Sequence, residues 1–248
     1  MSNEGAAPLV PERGLFQNLI GVLLSPRETF TALVARPGFW LPLLLQVALA
    51  IGFTAVWVHY VDPGEFLKNQ LVESGRWDKI PAEQRSGIVE TQSKIIPIFA
   101  WVGALVGGPI AVLVIAAVLM FVFRFFYAGE VTFKQSMTLV TYSLLVYGLV
   151  TAPLNLLVLS LKGDWNLNPQ EVLQANATFF LDRDTAAKPL WALAGSLDLF
   201  VFWAIWLLAT GFGVAVKRDT RSALWGVVVP WALFVAIKAG FAALSALS

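Results

Sequence analysis

The chain has no cysteine and a single histidine, His59. Without thiols there is no disulfide, no thiolate metal site and no lipidated thiol. A lone imidazole with no serine or acid at telling spacing cannot supply the nucleophile, base and orienting group of a hydrolase or transferase. Charge is also scarce, at 13% of residues, against roughly a quarter in soluble domains. A net charge of +1, with no basic patch beyond short groups beside apolar runs, argues against nucleic acid as a partner. No glycine-rich phosphate loop of the Walker or dinucleotide kind occurs. Metal binding needs three or four convergent ligands, and Asp182-Arg183-Asp184 reads instead as a solvated loop pair. Proteolysis by paired intramembrane aspartates lacks a second acid beside Asp198. These absences predict a chain with no enzymatic activity, cofactor or metal.

What remains is apolar surface. Hydrophobic residues make up 58% of the 248 and mean hydropathy is +0.72, which predicts an all-α, polytopic integral membrane protein. Two apolar runs flank the basic turn Lys217-Arg218-Asp219-Thr220-Arg221. Each is long enough to cross a bilayer at roughly 20 residues per span, so they form a transmembrane hairpin. Five spans follow along the chain, at about 40–60, 95–127, 136–161, 190–216 and 223–247. Residues 1–13 read as a flexible tail and 14–248 as one membrane domain. Within it, residues 14–36 form two short helices divided at Ser25-Pro26, with Ser25 and Glu28 as a capping box and Pro26 at the first helical position. They either lie in the membrane interface or pack beneath the bundle.

The second span is longer than the hydrocarbon layer, at about 50 Å for 33 residues. Gly107-Gly108-Pro109 should bend it, and Gly103 and Gly107 form a GxxxG pair suited to close helix packing within the chain. Loop 61–94 should hold helices at 65–73 and 81–94 around a turn at Gly75. In loop 162–189, Asn168-Pro169-Gln170-Glu171 predicts a cap and a short helix, with Val172, Leu173, Phe179 and Phe180 resting on the first loop. Lys and Arg other than Lys238 divide eight and eight between the two faces. Orientation therefore rests on the short basic turn, which favours the cytoplasm and places the N-terminus inside and the C-terminus outside. Asp198, Lys238 and Asn155 fall within spans at similar depth, which predicts an Asp198–Lys238 ion pair with Asn155 as a further donor. Such a cluster either ties helices together or serves transport, and one ion pair plus an amide is little polar surface for an aqueous pathway.

Three stretches together resemble the Yip1 domain family, specifically its bacterial members. They are Leu24-Ser25-Pro26-Arg27-Glu28-Thr29-Phe30; Gly129-Glu130-Val131-Thr132-Phe133-Lys134-Gln135 followed by Tyr142-Ser143; and Leu197-Asp198-Leu199-Phe200 with Trp203 and Gly211. The resemblance implies a five-span helical domain with a cytoplasmic N-terminus, in a bacterial inner membrane. Eukaryotic members are associated with vesicle trafficking and small GTPases of the Rab class. Their acidic-leucine-glycine-proline element is replaced here by Arg36-Pro37-Gly38-Phe39-Trp40, which argues against that role. The expected function is a non-enzymatic membrane organiser, adaptor or accessory subunit. Its partners would be the lipid bilayer and another membrane protein or a second copy. The alternative is a small-solute or lipid transporter or scramblase using Asp198, Lys238 and Asn155.

Overall fold

A computed structural model describes residues 14–247 apart from 184, with side chains to 244; the expected tail at 1–13 lies outside the described residues. The described chain is helical, and four helices are long and apolar enough to cross a membrane. The α-helices in chain order are α1 (Leu15–Leu24), α2 (Pro26–Ala35), α3 (Trp40–Tyr60), α4 (Pro63–Glu73), α5 (Ala82–Ser93), α6 (Ile96–Val102), α7 (Gly108–Phe125), α8 (Phe133–Lys162), α9 (Lys188–Ala194), α10 (Leu199–Ala215) and α11 (Thr220–Leu247). The face that carries the basic turn 217–221 is called proximal below, and the opposite face distal.

Helix α3 occupies the expected first span. The second long segment runs from α5 through α7, 44 residues from Ala82 to Phe125, with a turn at Lys94-Ile95 between α5 and α6. At about 66 Å it projects well beyond the hydrocarbon. Its irregularity is a π-helical turn at Gly103–Gly107, one residue ahead of Pro109, where the proline removes a backbone donor and glycine weakens the ladder. A side chain added at Gly103 or Gly107 would meet nothing within 4 Å. The expected close packing at this GxxxG pair is therefore not made among the described residues.

The expected capping box at Ser25 is also absent. Pro26 starts α2, but the Ser25 side chain makes no cap hydrogen bond. Its carbonyl instead accepts the Thr29 hydroxyl at 3.0 Å, and Thr29 and Phe30 are buried against the bundle. Helices α1 and α2 thus pack beneath the helices with one face, while Phe16 and Leu24 remain exposed. A capping box forms at α8, where Thr132 and Gln135 satisfy each other's backbone. Gln135 also donates to the Val34 carbonyl at 3.0 Å, tying α8 to α2.

The proximal core centres on aromatic rings. Phe123 stacks on Phe212 at 4.8 Å, and the Tyr127 hydroxyl donates to the Ser222 carbonyl at 2.9 Å. The hairpin turn closes through Lys217 in the left-handed region, φ 54, which lets the Arg218 N–H reach the Gly213 carbonyl at 2.7 Å. Helix α11 then passes so close to α7 that a Cβ at Gly226 would sit 2.7 Å from the Phe123 ring. At Gly129 it would strike the Val216 side chain and the Phe123 carbonyl. Gly226→Val should therefore destabilise the protein by about 1–3 kcal/mol through overpacking. Gly240→Ala, where a side chain meets nothing within 4 Å, should leave stability unchanged or raise it by up to about 1 kcal/mol. Thermal unfolding in detergent micelles distinguishes the two.

Candidate functional site: the distal cavity and the break beneath it

The two distal loops fold into one cap. Asp62 caps α4, its carboxylate accepting from the Gly64 and Glu65 N–H groups at 2.8 and 3.0 Å. The Asp62 N–H donates to Asn166 of the second loop at 2.8 Å, and the Trp57 indole donates to the Trp165 carbonyl at 3.2 Å. Tyr60 stacks on the Trp165 ring at 4.6 Å. Arg183 then bridges the loops, meeting Glu73 and Glu171 at 2.8 Å each while its guanidinium lies over Trp191. Burial pushes the Glu73 carboxyl above the usual carboxylate value; Arg183 opposes this and Glu171 adds to it. Sequence reading put Arg183 in a solvated loop, because nothing local signals two partners at such separations. Asp184 lies outside the described residues.

The helix expected after Asn168 does not form. The Asn168 side chain accepts the Gln170 N–H at 3.0 Å, closing a turn, because no apolar helical run follows to reward propagation. The chain continues through irregular backbone to a 3₁₀ turn, Ala177–Phe180, with Val172 buried and Phe179 and Phe180 exposed.

This irregular stretch meets a feature the sequence analysis missed. The fourth apolar segment is not a continuous helix over 190–216; it breaks between α9 and α10 at Gly195-Ser196-Leu197-Asp198. Glycine has low helix propensity, and serine and aspartate compete for backbone donors. The signal was present, since Asp198 is an N-cap: its carboxylate accepts from Phe200 and Val201 at 2.8 and 3.1 Å. Ser196 returns its hydroxyl to the Ala192 carbonyl. Residues 175–177 of the second distal loop lie antiparallel across the break, with Asn176 opposite Asp198. Ala177 N–H donates to Leu197 and Leu199 N–H to Ala175, at 3.2 and 3.0 Å.

The expected Asp198–Lys238 ion pair is therefore corrected. The aspartate is turned into the backbone of α10, and the Lys238 ammonium lies 3.5 Å from the neutral Ser196 hydroxyl. Asn155 joins neither, and its side-chain oxygen is buried without a hydrogen-bond partner. Between cap and break lies an open cavity of about 630 Å³. Its wall includes Lys162, Arg183, Lys188, Glu73 and Glu171, and Lys238 and Ala242 of α11. Among the described residues, no group of three His, Cys, Asp or Glu converges as a metal site would require.

A family model described as the Yip1 domain matches residues 20–240. The chain is similar to membrane protein YknW of Bacillus subtilis, 28% identical over 224 residues that cover 88% of this chain and 89% of that one. No solved structure matches.

A capping role for Asp198 makes a demand that an ion pair would not. Asp198→Asn retains a side-chain acceptor and should stay within about 0.5 kcal/mol of the parent, whereas Asp198→Ala should lose about 1 kcal/mol. Combined with Lys238→Met, either change should be additive in thermal unfolding. Strong coupling would restore the ion pair.

Proposed function

The chain belongs to the Yip1 domain family, and on that premise we propose that it is a five-pass, non-enzymatic protein of a bacterial inner membrane that organises or completes a membrane complex. The fifth pass is the broken segment: α9, the break and α10 together cover 28 residues, enough to cross at about 1.5 Å per residue. The positive-inside tendency places the basic turn and the N-terminus in the cytoplasm and the C-terminus outside. The partner is another membrane protein or a second copy of the chain.

The observation that carries the adaptor reading is the distal cap. Two loops far apart in sequence are locked by Arg183 on Glu73 and Glu171 and by Asn166 on Asp62 and Glu65, giving a preorganised polar surface beyond the bilayer. Preorganisation lowers the entropy lost on association. A second reading, solute or lipid handling, is favoured by the broken segment beside a polar cavity, because interrupted helices commonly border transport sites.

Crosslinking in native membranes followed by purification should yield one stoichiometric partner. Arg183→Met, which strands two carboxylates and loosens the cap, should reduce its recovery several-fold while the protein stays inserted. Recovery of the protein alone, together with solute or lipid movement by the purified chain in liposomes, would replace the adaptor reading with the second. A reporter after Ser248 should be accessible from outside the cell, and one at 217–221 should not.

A further inference from the structure

We propose that the distal cavity binds a phosphate-bearing anion, with Lys238 as its counter-ion. Four cationic residues, Lys162, Arg183, Lys188 and Lys238, line the cavity against two carboxylates, Glu73 and Glu171. Both carboxylates are held by Arg183 at 2.8 Å. Lys188 donates to the neutral Ser74 carbonyl, and Lys238 has the Ser196 hydroxyl at 3.5 Å. The acid nearest in sequence to that contact, Asp198, is occupied as a helix cap. Asp198 keeps its charge but is turned to the backbone of α10 and does not line the cavity, so among the described residues the lining is net positive.

Depth makes this matter. Counted from Thr220 beside the basic turn, Lys238 lies 18 residues along α11, about 27 Å. Asp198 lies 17 residues from Ala215, about 26 Å on the antiparallel α10. Both sit close to the distal boundary of a hydrocarbon layer about 30 Å thick. Lys238 is exposed and lines the open cavity, so an anion from the headgroup layer can reach its ammonium. The cavity's volume of about 630 Å³ exceeds what a phosphate needs. Its lining passes from polar residues to Phe179, which is exposed, and Lys238 is flanked on α11 by exposed Ile237 and Phe241. A lipid headgroup and a free phosphate ester share the chemistry that recognises this site. The inference requires only that α10 and α11 cross the bilayer, and it stands whether or not a protein partner exists.

The test uses the full chain in neutral detergent, titrated separately with phosphatidylglycerol, phosphatidylcholine and inorganic phosphate. The thermal midpoint is followed, and bound lipid is counted by native mass spectrometry. Phosphatidylglycerol or phosphate should raise the midpoint saturably. Lys238→Met should weaken that response about tenfold or more, the effect of losing one charge-assisted contact, and Lys238→Arg should restore most of it. Lys94→Gln, whose ammonium pairs with Glu90 at 3.1 Å outside the cavity, should respond as the parent does. A response to phosphatidylglycerol without one to phosphate assigns the site to lipid; an equal response to phosphate assigns it to a free anion. The proposal is overturned by no response to either, by an equal response to phosphatidylcholine, or by a Lys238→Met titration that matches the parent. Lys238→Met removes a charge that makes no ion pair among the described residues, so its starting midpoint should equal or exceed the parent's, which separates lost binding from lost folding.

Discussion

In hydrocarbon there is no water to pair with a free backbone N–H or carbonyl, so a membrane segment that stops being helical must find those partners inside the protein. This requirement governs the distal half of the molecule. In the proposed five-pass arrangement, the break at Gly195–Asp198 frees backbone groups close to the membrane boundary. They are met by the Asp198 carboxylate and by residues 175–177, which run across the gap. Because the second distal loop must reach down to the break, it is held against the bundle, and its remaining length spans from there to the first loop. Arg183 fixes that far end. The cavity is the space this path encloses, and Lys238 faces it because α11 packs beside α9 and α10.

The proximal half obeys a different constraint, close packing. The stretches that carry the family resemblance sit at its joints. Thr132 and Gln135 start α8 and fasten it to α2; Gly129 lets the preceding turn pass Val216; Val131 and Phe30 are buried. Tyr142 accepts from Asn18 of α1 at 3.4 Å. Asp198 does the equivalent work on the distal side. These residues hold elements in register and none presents a reactive group, so the motifs explain a shared fold without specifying a reaction.

Much of the architecture could be read from the chain because apolar length and punctuation are local. Trp40 and Tyr60 bound the first span, and the basic turn divides α10 from α11. Of the apolar side chains expected to seat the second distal loop on the first, Val172 is buried, whereas Phe179 and Phe180 are exposed, and polar contacts of Arg183 and Asn166 join the loops instead. Elsewhere the same signals had more than one solution. Asn168-Pro169-Gln170-Glu171 closes a turn because the residues after it lack a helical face. Asp198 was read by depth, as a charge in a continuous helix, when Gly195 and Ser196 before it marked a cap. Gly103 and Gly107 have the spacing of a packing motif, but whether a second helix lies opposite is not a property of that segment. The Arg183 network and the strand-like contact at 175–177 join residues far apart in sequence, and no periodicity encodes such a partnership.

The second distal loop straps a break in the fourth apolar segment. Hydrogen–deuterium exchange on the protein in lipid nanodiscs tests it at the Ala177, Leu199, Phe200 and Val201 amides. All four should exchange much more slowly than the exposed Thr185 and Ala187 amides, and Asp198→Ala should accelerate Phe200 and Val201 selectively. Exchange at Ala177 and Leu199 as fast as at Thr185 and Ala187 would mean that the strap is not formed and that the break, the cavity and the placement of Lys238 must be reconsidered.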